Sequence, residues 1–176
     1  MAVKLITPKF RGSYVTLITP RAVSDDAEPS YGLSAVFKKN SKATKAFIAQ
    51  LEETFSELLL EKIGKAHPLE KCKHYPILDG DEIDGSPEEF ANSWVLRLKS
   101  KTQPGILVRD EEGNKAPFES ASDIYSGAWY HASITPYAWN NKFGKGVSIG
   151  LAGVLKIADD EPFSAGAFTQ SDFDDL

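Results

Sequence analysis

The sequence predicts a mainly β chain in which short strands close into a small barrel, with one inserted α-helix and a disordered acidic tail. Three observations carry this expectation. β-branched and aromatic runs recur between glycine and proline breaks. Only residues 41–63 keep a helical apolar stripe. The last nineteen residues hold six acids and no base. At 176 residues the chain has one domain's length and can bury one sizeable core.

Residues 13–19, Ser-Tyr-Val-Thr-Leu-Ile-Thr, lie between Gly12 and Pro20 and read as a strand. A polar loop over 21–29 leads to a second strand, 31–38, with Tyr31, Leu33, Ala35 and Phe37 on one face. Ser41 is placed to cap the helix. Its stripe is Phe47, Leu51, Phe55, Leu58, Leu59 and Ile63, and Gly64 followed by Pro68 ends it. After an irregular acidic segment, 67–89, strand signals resume at 93–101, 105–109, 124–139 and 147–157, with a hairpin turn at 110–114. Closure of such strands removes exposed edges. A five-stranded Greek-key barrel with an inserted helix is an OB-fold-like plan; periodicity alone also permits a β-sandwich. The expected division is a barrel over 1–157 and a tail over 158–176.

The 25 acids and 20 Lys and Arg give a net charge of −5, which at first excludes a polyanionic partner. The distribution reverses that inference. Without the tail, 20 bases face 19 acids. Segments 1–24, 29–51, 90–109 and 124–158 contain no acid and carry 15 of the 20 bases. Basic stretches beside a detachable acidic tail are a pattern relevant to nucleic acid. A single cysteine, Cys72, excludes an intrachain disulfide and fits a reducing cytoplasm. No signal-peptide core or membrane-length apolar run is present in the sequence, so a soluble cytoplasmic protein is expected.

Alternation along 94–101 puts Trp94, Leu96 and Leu98 on one face and Arg97, Lys99 and Lys101 on the other. Cations at every second strand residue lie about 7 Å apart, close to the spacing of successive phosphates. Farther on, Trp129, Tyr137 and Trp139 share a face if the strand is unbroken, although Pro136 threatens its register. Lys142, Phe143 and Lys145 form the flexible basic hairpin after it. Bases stack on aromatic rings while cations neutralise phosphates, as single strands require. Phe10, Arg11 and Tyr14 repeat the theme, and Lys38 and Lys39 supply more charge where the helix begins. In the tail, Phe163, Phe168 and Phe173 recur every five residues, and the chain ends Asp172-Phe173-Asp174-Asp175-Leu176. Phenylalanines that no core can use read as a partner-docking segment that also competes for the protein's own basic groove.

Signals for an enzyme are poor. Asp79, Asp81 and Asp84 would suit a Mg²⁺ nuclease, but Ile83 stands where an EF-hand needs an oxygen ligand. His67, Cys72 and His74 lack a fourth zinc ligand nearby. No phosphate-binding loop or dinucleotide fingerprint is present in the sequence. No catalysis, cofactor or metal is therefore expected. The alternatives are that nuclease and a virion-structural or protein-interaction module.

Tyr31-Gly-Leu-Ser-Ala-Val-Phe-Lys38, Leu78-Asp-Gly-Asp81 and Ile124-Tyr-Ser-Gly127 occur here in a distinctive order. Asn141-x-x-Gly144-x-Gly-Val147 and Gly150-Leu follow them. Over most of 10–157 this set resembles a phage-encoded single-stranded DNA-binding protein family, and the acidic tail is similar to those of replication single-strand binders. The usual bacterial tail ends in proline-phenylalanine, which this one does not. The resemblance implies an OB-fold without catalysis, and service in phage DNA replication, recombination and repair. It also implies a tail that recruits replication proteins such as a polymerase, primase or helicase. A homodimer is compatible with the residues, which do not specify one.

Overall fold

The computed structural model describes residues 3–22 and 24–163. Its elements are β1 (Leu5–Ile6), β2 (Phe10–Arg21), β3 (Ser30–Lys38), α1 (Lys42–Ile63), β4 (Ile77–Asp79), β5 (Ser93–Ser100), β6 (Gly105–Arg109), β7 (Lys115–Pro117), β8 (Trp129–Asn141) and β9 (Gly144–Ala158). The ladder closes through five of them: β8 pairs β2, β2 pairs β3, β3 pairs β5, β5 meets β9, and β9 returns to β8. Only β5 and β9 run parallel within that ring. The expected five-stranded barrel is present, with the helix inserted between its second and third strands. β1 extends the edge of β8, β4 pairs the first half of β5, and the β6–β7 hairpin lies beside β9.

Strand alternation fills the barrel. Leu33, Ala35 and Phe37 from β3, Leu96 and Leu98 from β5, and Tyr130, Ala132 and Ile134 from β8 join one buried cluster. The Ser41 side chain accepts from the Thr44 backbone N–H at the start of α1, and Gly64 ends the helix at φ 87°. Phe47, Leu51, Phe55 and Leu59 turn inward as the stripe predicts, and α1 packs chiefly against β8.

Phe10 requires a correction. The sequence grouped it with the aromatic and basic residues suited to nucleic acid, but it is fully buried, with its ring 5.3 Å from Phe37 and 6.1 Å from Tyr130. The first barrel strand begins at Phe10 rather than at 13, and alternation sends Phe10 inward and Arg11 outward. The expected strand over 124–139 likewise starts only at Trp129, after a 3-10 turn at Ala121–Asp123 and the positive-φ Gly127. Pro136 does not interrupt β8. It pairs with Ile149, and the pairing of β8 with β1 ends at Ile134, so the proline sits where that edge has no partner among the described residues.

β9 continues to Ala158, and residues 159–163 then lie against the barrel. The tail positions singled out as partner-binding (Phe168, Asp172, Phe173, Asp174, Asp175 and Leu176) lie outside the described residues. No helix among the described residues is long and apolar enough to cross a membrane.

Candidate nucleic-acid interface

β5 sets the central row. Its inward side chains bury Leu96 and Leu98, and its outward side chains leave Arg97 and Lys99 exposed, with Lys101 just beyond the strand. Two hollows flank this row and share Arg97 and Lys99 as lining. One, of about 320 Å³, lies toward β2 and includes Tyr14, Arg21 and Tyr31. The other, of about 560 Å³, lies toward the β8–β9 ladder and includes Lys101, His74, Tyr75, Tyr137 and Ser148. The cations therefore run along a trough with aromatic residues on both sides. Tyr137 is 48% exposed there. Burial and nearby Glu52 push the Tyr75 hydroxyl up, so it remains a neutral group in the trough.

The hairpin between β8 and β9 carries the second group. Asn141 pairs with Gly144, which leaves Lys142 and Phe143 as a two-residue tip. Phe143 is 65% exposed, with the Lys142 ammonium 5.1 Å from its ring centroid. Lys73 braces the hairpin: its ammonium donates to the Phe143 carbonyl at 2.8 Å, and its backbone N–H donates to the Lys145 carbonyl. Trp139 lies over Gly146, where any Cβ would stand 2.4 Å from the indole, and its Nε1 donates to the Ser148 hydroxyl at 3.2 Å. The ring is held at the hairpin stem on the same face as Tyr137.

A third cluster joins β2 to β8. Arg11 pairs with Trp129 across the ladder. Arg11 Nε donates to the Gly127 carbonyl at 2.9 Å, and the Lys9 ammonium lies 5.5 Å from the Trp129 ring. Residues 159–163 occupy this cluster. Trp129 Nε1 donates to the Asp160 carboxylate at 2.8 Å, Arg11 donates to the Glu161 carbonyl at 2.6 Å, and the Arg11 guanidinium lies 4.3 Å from the Phe163 ring centroid. The Glu161 backbone N–H and the Trp129 indole hold the Asp160 carboxyl below its ordinary range; Lys156 and the Tyr125 hydroxyl do the same for Asp159.

Two lysines behave differently from one another. Lys38 lines the hollow that also holds Phe163, and its ammonium reaches the Ala91 carbonyl at 3.1 Å. Lys39 is held in an ion pair. Its ammonium binds Asp79 at 2.6 Å and Asp81 at 3.0 Å beneath the Trp94 ring, and Asp79 foremost raises its pKa. The charge that the sequence assigned to Lys39 at the start of the helix is thus engaged by two carboxylates of this chain. The same contacts engage two of the three carboxylates considered for Mg²⁺, and among the described residues no three His, Cys, Asp or Glu side chains converge as a metal site.

The structure brings together Arg97, Lys99, Lys101 and Tyr137 with Tyr14, and Lys142, Phe143, Lys145 and Trp139 with one another. Arg11, Trp129 and Lys38 form the separate third cluster. Sequence reasoning missed Arg21, Tyr31, His74 and Tyr75. Tyr31 joins the trough through its pairing with Ser100 and the His74 segment through its bridge to Gly146, long-range pairings that no local periodicity signals.

A family model described as the ssDNA-binding protein of Enterobacter phage Enc34 matches residues 3–176. Protein p50 of Acyrthosiphon pisum secondary endosymbiont phage 1 is 33% identical over 102 residues; the match spans 56% of this chain and about half (50%) of that relative. The structure of the single-stranded DNA-binding protein from bacteriophage Enc34 in complex with ssDNA superposes with a TM-score of 0.74 at 28% identity, covering 92% of this chain and 89% of that one. The bacteriophage T7 single-stranded DNA-binding protein gp2.5 shares the fold, with a TM-score of 0.61 at 13% identity over 99% of this chain and 94% of its own.

Proposed function

Because this chain belongs to the Enterobacter phage Enc34 ssDNA-binding family, we propose that it is a sequence-independent single-stranded DNA-binding protein. The observation that carries this reading is the exposed row Arg97, Lys99 and Lys101, flanked by hollows that present Tyr14 and Tyr137. The row matches a phosphate backbone in spacing, and no acid occurs between residues 90 and 109 to cancel it. Rings beside it accept bases through their π-faces, which every base possesses, so binding does not depend on sequence. Lys142, Lys145, Phe143 and Trp139 extend the path along the hairpin. Arg11, Lys38 and Trp129 continue it where residues 159–163 now lie.

The protein serves phage DNA replication, recombination and repair in the infected host's cytoplasm. Its tail recruits replication proteins through the segment ending Phe173-Asp174-Asp175-Leu176. Asp160 against Trp129 and Phe163 against Arg11 support a shielding role for the start of the tail, with a carboxylate where a phosphate would sit and a ring where a base would stack. A mobility-shift titration with labelled oligo-dT, a duplex of equal length and RNA tests the reading. Retention of oligo-dT at nanomolar to micromolar protein is expected. Failure to retain it at any concentration contradicts the proposal.

A further inference from the structure

We propose that the hollow where β1, β6, β8 and β9 meet is the docking site of this chain's own tail, residues 164–176. The reading above gives that tail partners to recruit; this hollow gives it a seat on the protein when no partner holds it. The hollow, of about 560 Å³, shares no lining residue with the two that flank Arg97 and Lys99. Alternation along β6 sends Ile106 and Val108 against the core and leaves Gly105, Leu107 and Arg109 outward. Gly105 pairs with Gly153, so the floor carries no side chain at that point. Leu107, Leu155 and Ile6 stand around it. Six large apolar side chains are exposed among the described residues. Tyr14, Tyr137 and Phe143 belong to the nucleic-acid surface, and Leu60 lies on α1. The other two, Ile6 at 66% and Leu107 at 41%, both line this hollow. They offer too little apolar surface for a stable interface with a second copy, but suit a short segment that inserts one or two rings.

Charge and reach point to the tail as that segment. Arg109 pairs with Lys115 at the rim, and neither holds an ion pair among the described residues. No acid lines the hollow; Asp110, Glu111 and Glu112 of the adjoining turn lie outside it, and the Asp110 carboxylate accepts from the Glu112 and Asn114 backbone N–H groups. Residues 164–176 bring the complement: Phe168, Phe173 and Leu176, with Asp172, Asp174 and Asp175 and no base. The last described residue, Phe163, sits in a hollow lined by Lys9 and Trp129. The apolar hollow begins at Thr7 and His131, two residues away on the same two segments, or about 7 Å. The tail, extended, spans about 45 Å, several times that step.

The full-length chain should carry the photoreactive analogue p-benzoylphenylalanine in place of Phe173, be irradiated without DNA, and have its adducts mapped by mass spectrometry. Adducts within one chain on 105–109, 131–133 or 153–155 are expected. Leu107→Glu, which sets an acid among the surrounding apolar residues, should abolish them without lowering the melting temperature. Gly105→Gln should abolish them too: a Cβ there meets no atom within 4 Å, so its side chain fills the hollow without strain and decides the matter if Leu107→Glu melts lower. No adduct, adducts on 97–101, adducts joining two chains, or adducts that survive both substitutions overturn the docking site. Oligo-dT retention scores the single-strand reading separately. A chain that docks its tail here yet retains no oligo-dT overturns that reading alone.

Discussion

Arg97 and Lys99 owe their position to the two-residue repeat of a strand whose other face buries Leu96 and Leu98. Both side chains are exposed and neither holds an ion pair among the described residues. Reversing both charges, Arg97→Glu with Lys99→Glu, should therefore leave the melting temperature nearly unchanged. It should weaken oligo-dT binding by roughly a hundredfold, as fluorescence anisotropy would register. Normal affinity in a folded double variant would exclude this row. At this scale the sequence is informative where alternation governs and silent where distant chain segments meet. Arg97, Lys99, Lys101 and Tyr137 were legible from period two. Lys39 was not, because its partners Asp79 and Asp81 lie some forty residues away. Tyr14 was visible as an aromatic beside basic residues, but its exposure and its φ of 50° within a β2 bulge arise only through pairing with β3.

Among the elements, α1 was the most legible. Its cap, stripe and terminating glycine are all local, and the observed span Lys42–Ile63 agrees with them. β1, β4 and β7 are two or three residues long, too short to show a period. The segment after β9 behaves as an element of its own, held by Asp159 and Asp160. Both carboxyls titrate below their ordinary value of 3.8, so their contribution to docking is fully present above that pH and is lost as pH falls through the lowered values. At neutral pH the same loss can be imposed by Asp160→Asn, which deletes the charge facing Trp129 Nε1 and Arg11. The contact is partly exposed, so the expected gain in oligo-dT affinity is modest, about two- to fivefold. Unchanged or weaker binding would show that residues 159–163 do not compete with DNA.

Over the whole molecule, closure of the ring β8–β2–β3–β5–β9 decides which basic segments become neighbours. The strand inventory made a small barrel the economical answer, but which outward faces adjoin depends on pairings such as Lys99 with Gly150, fifty-one residues apart in the chain. The result is one trough with cations along its middle and a hairpin carrying Lys142, Phe143 and Lys145 at one side, while the six acids that dominate the net charge follow the last strand. If this surface binds single strands through phosphate neutralisation, counterions leave as DNA enters. The direct test is the dissociation constant of the full chain for oligo-dT between 50 and 200 mM salt. Engagement of about five cations predicts a slope of log affinity against log salt of roughly −3.5, and a slope near zero would contradict the account.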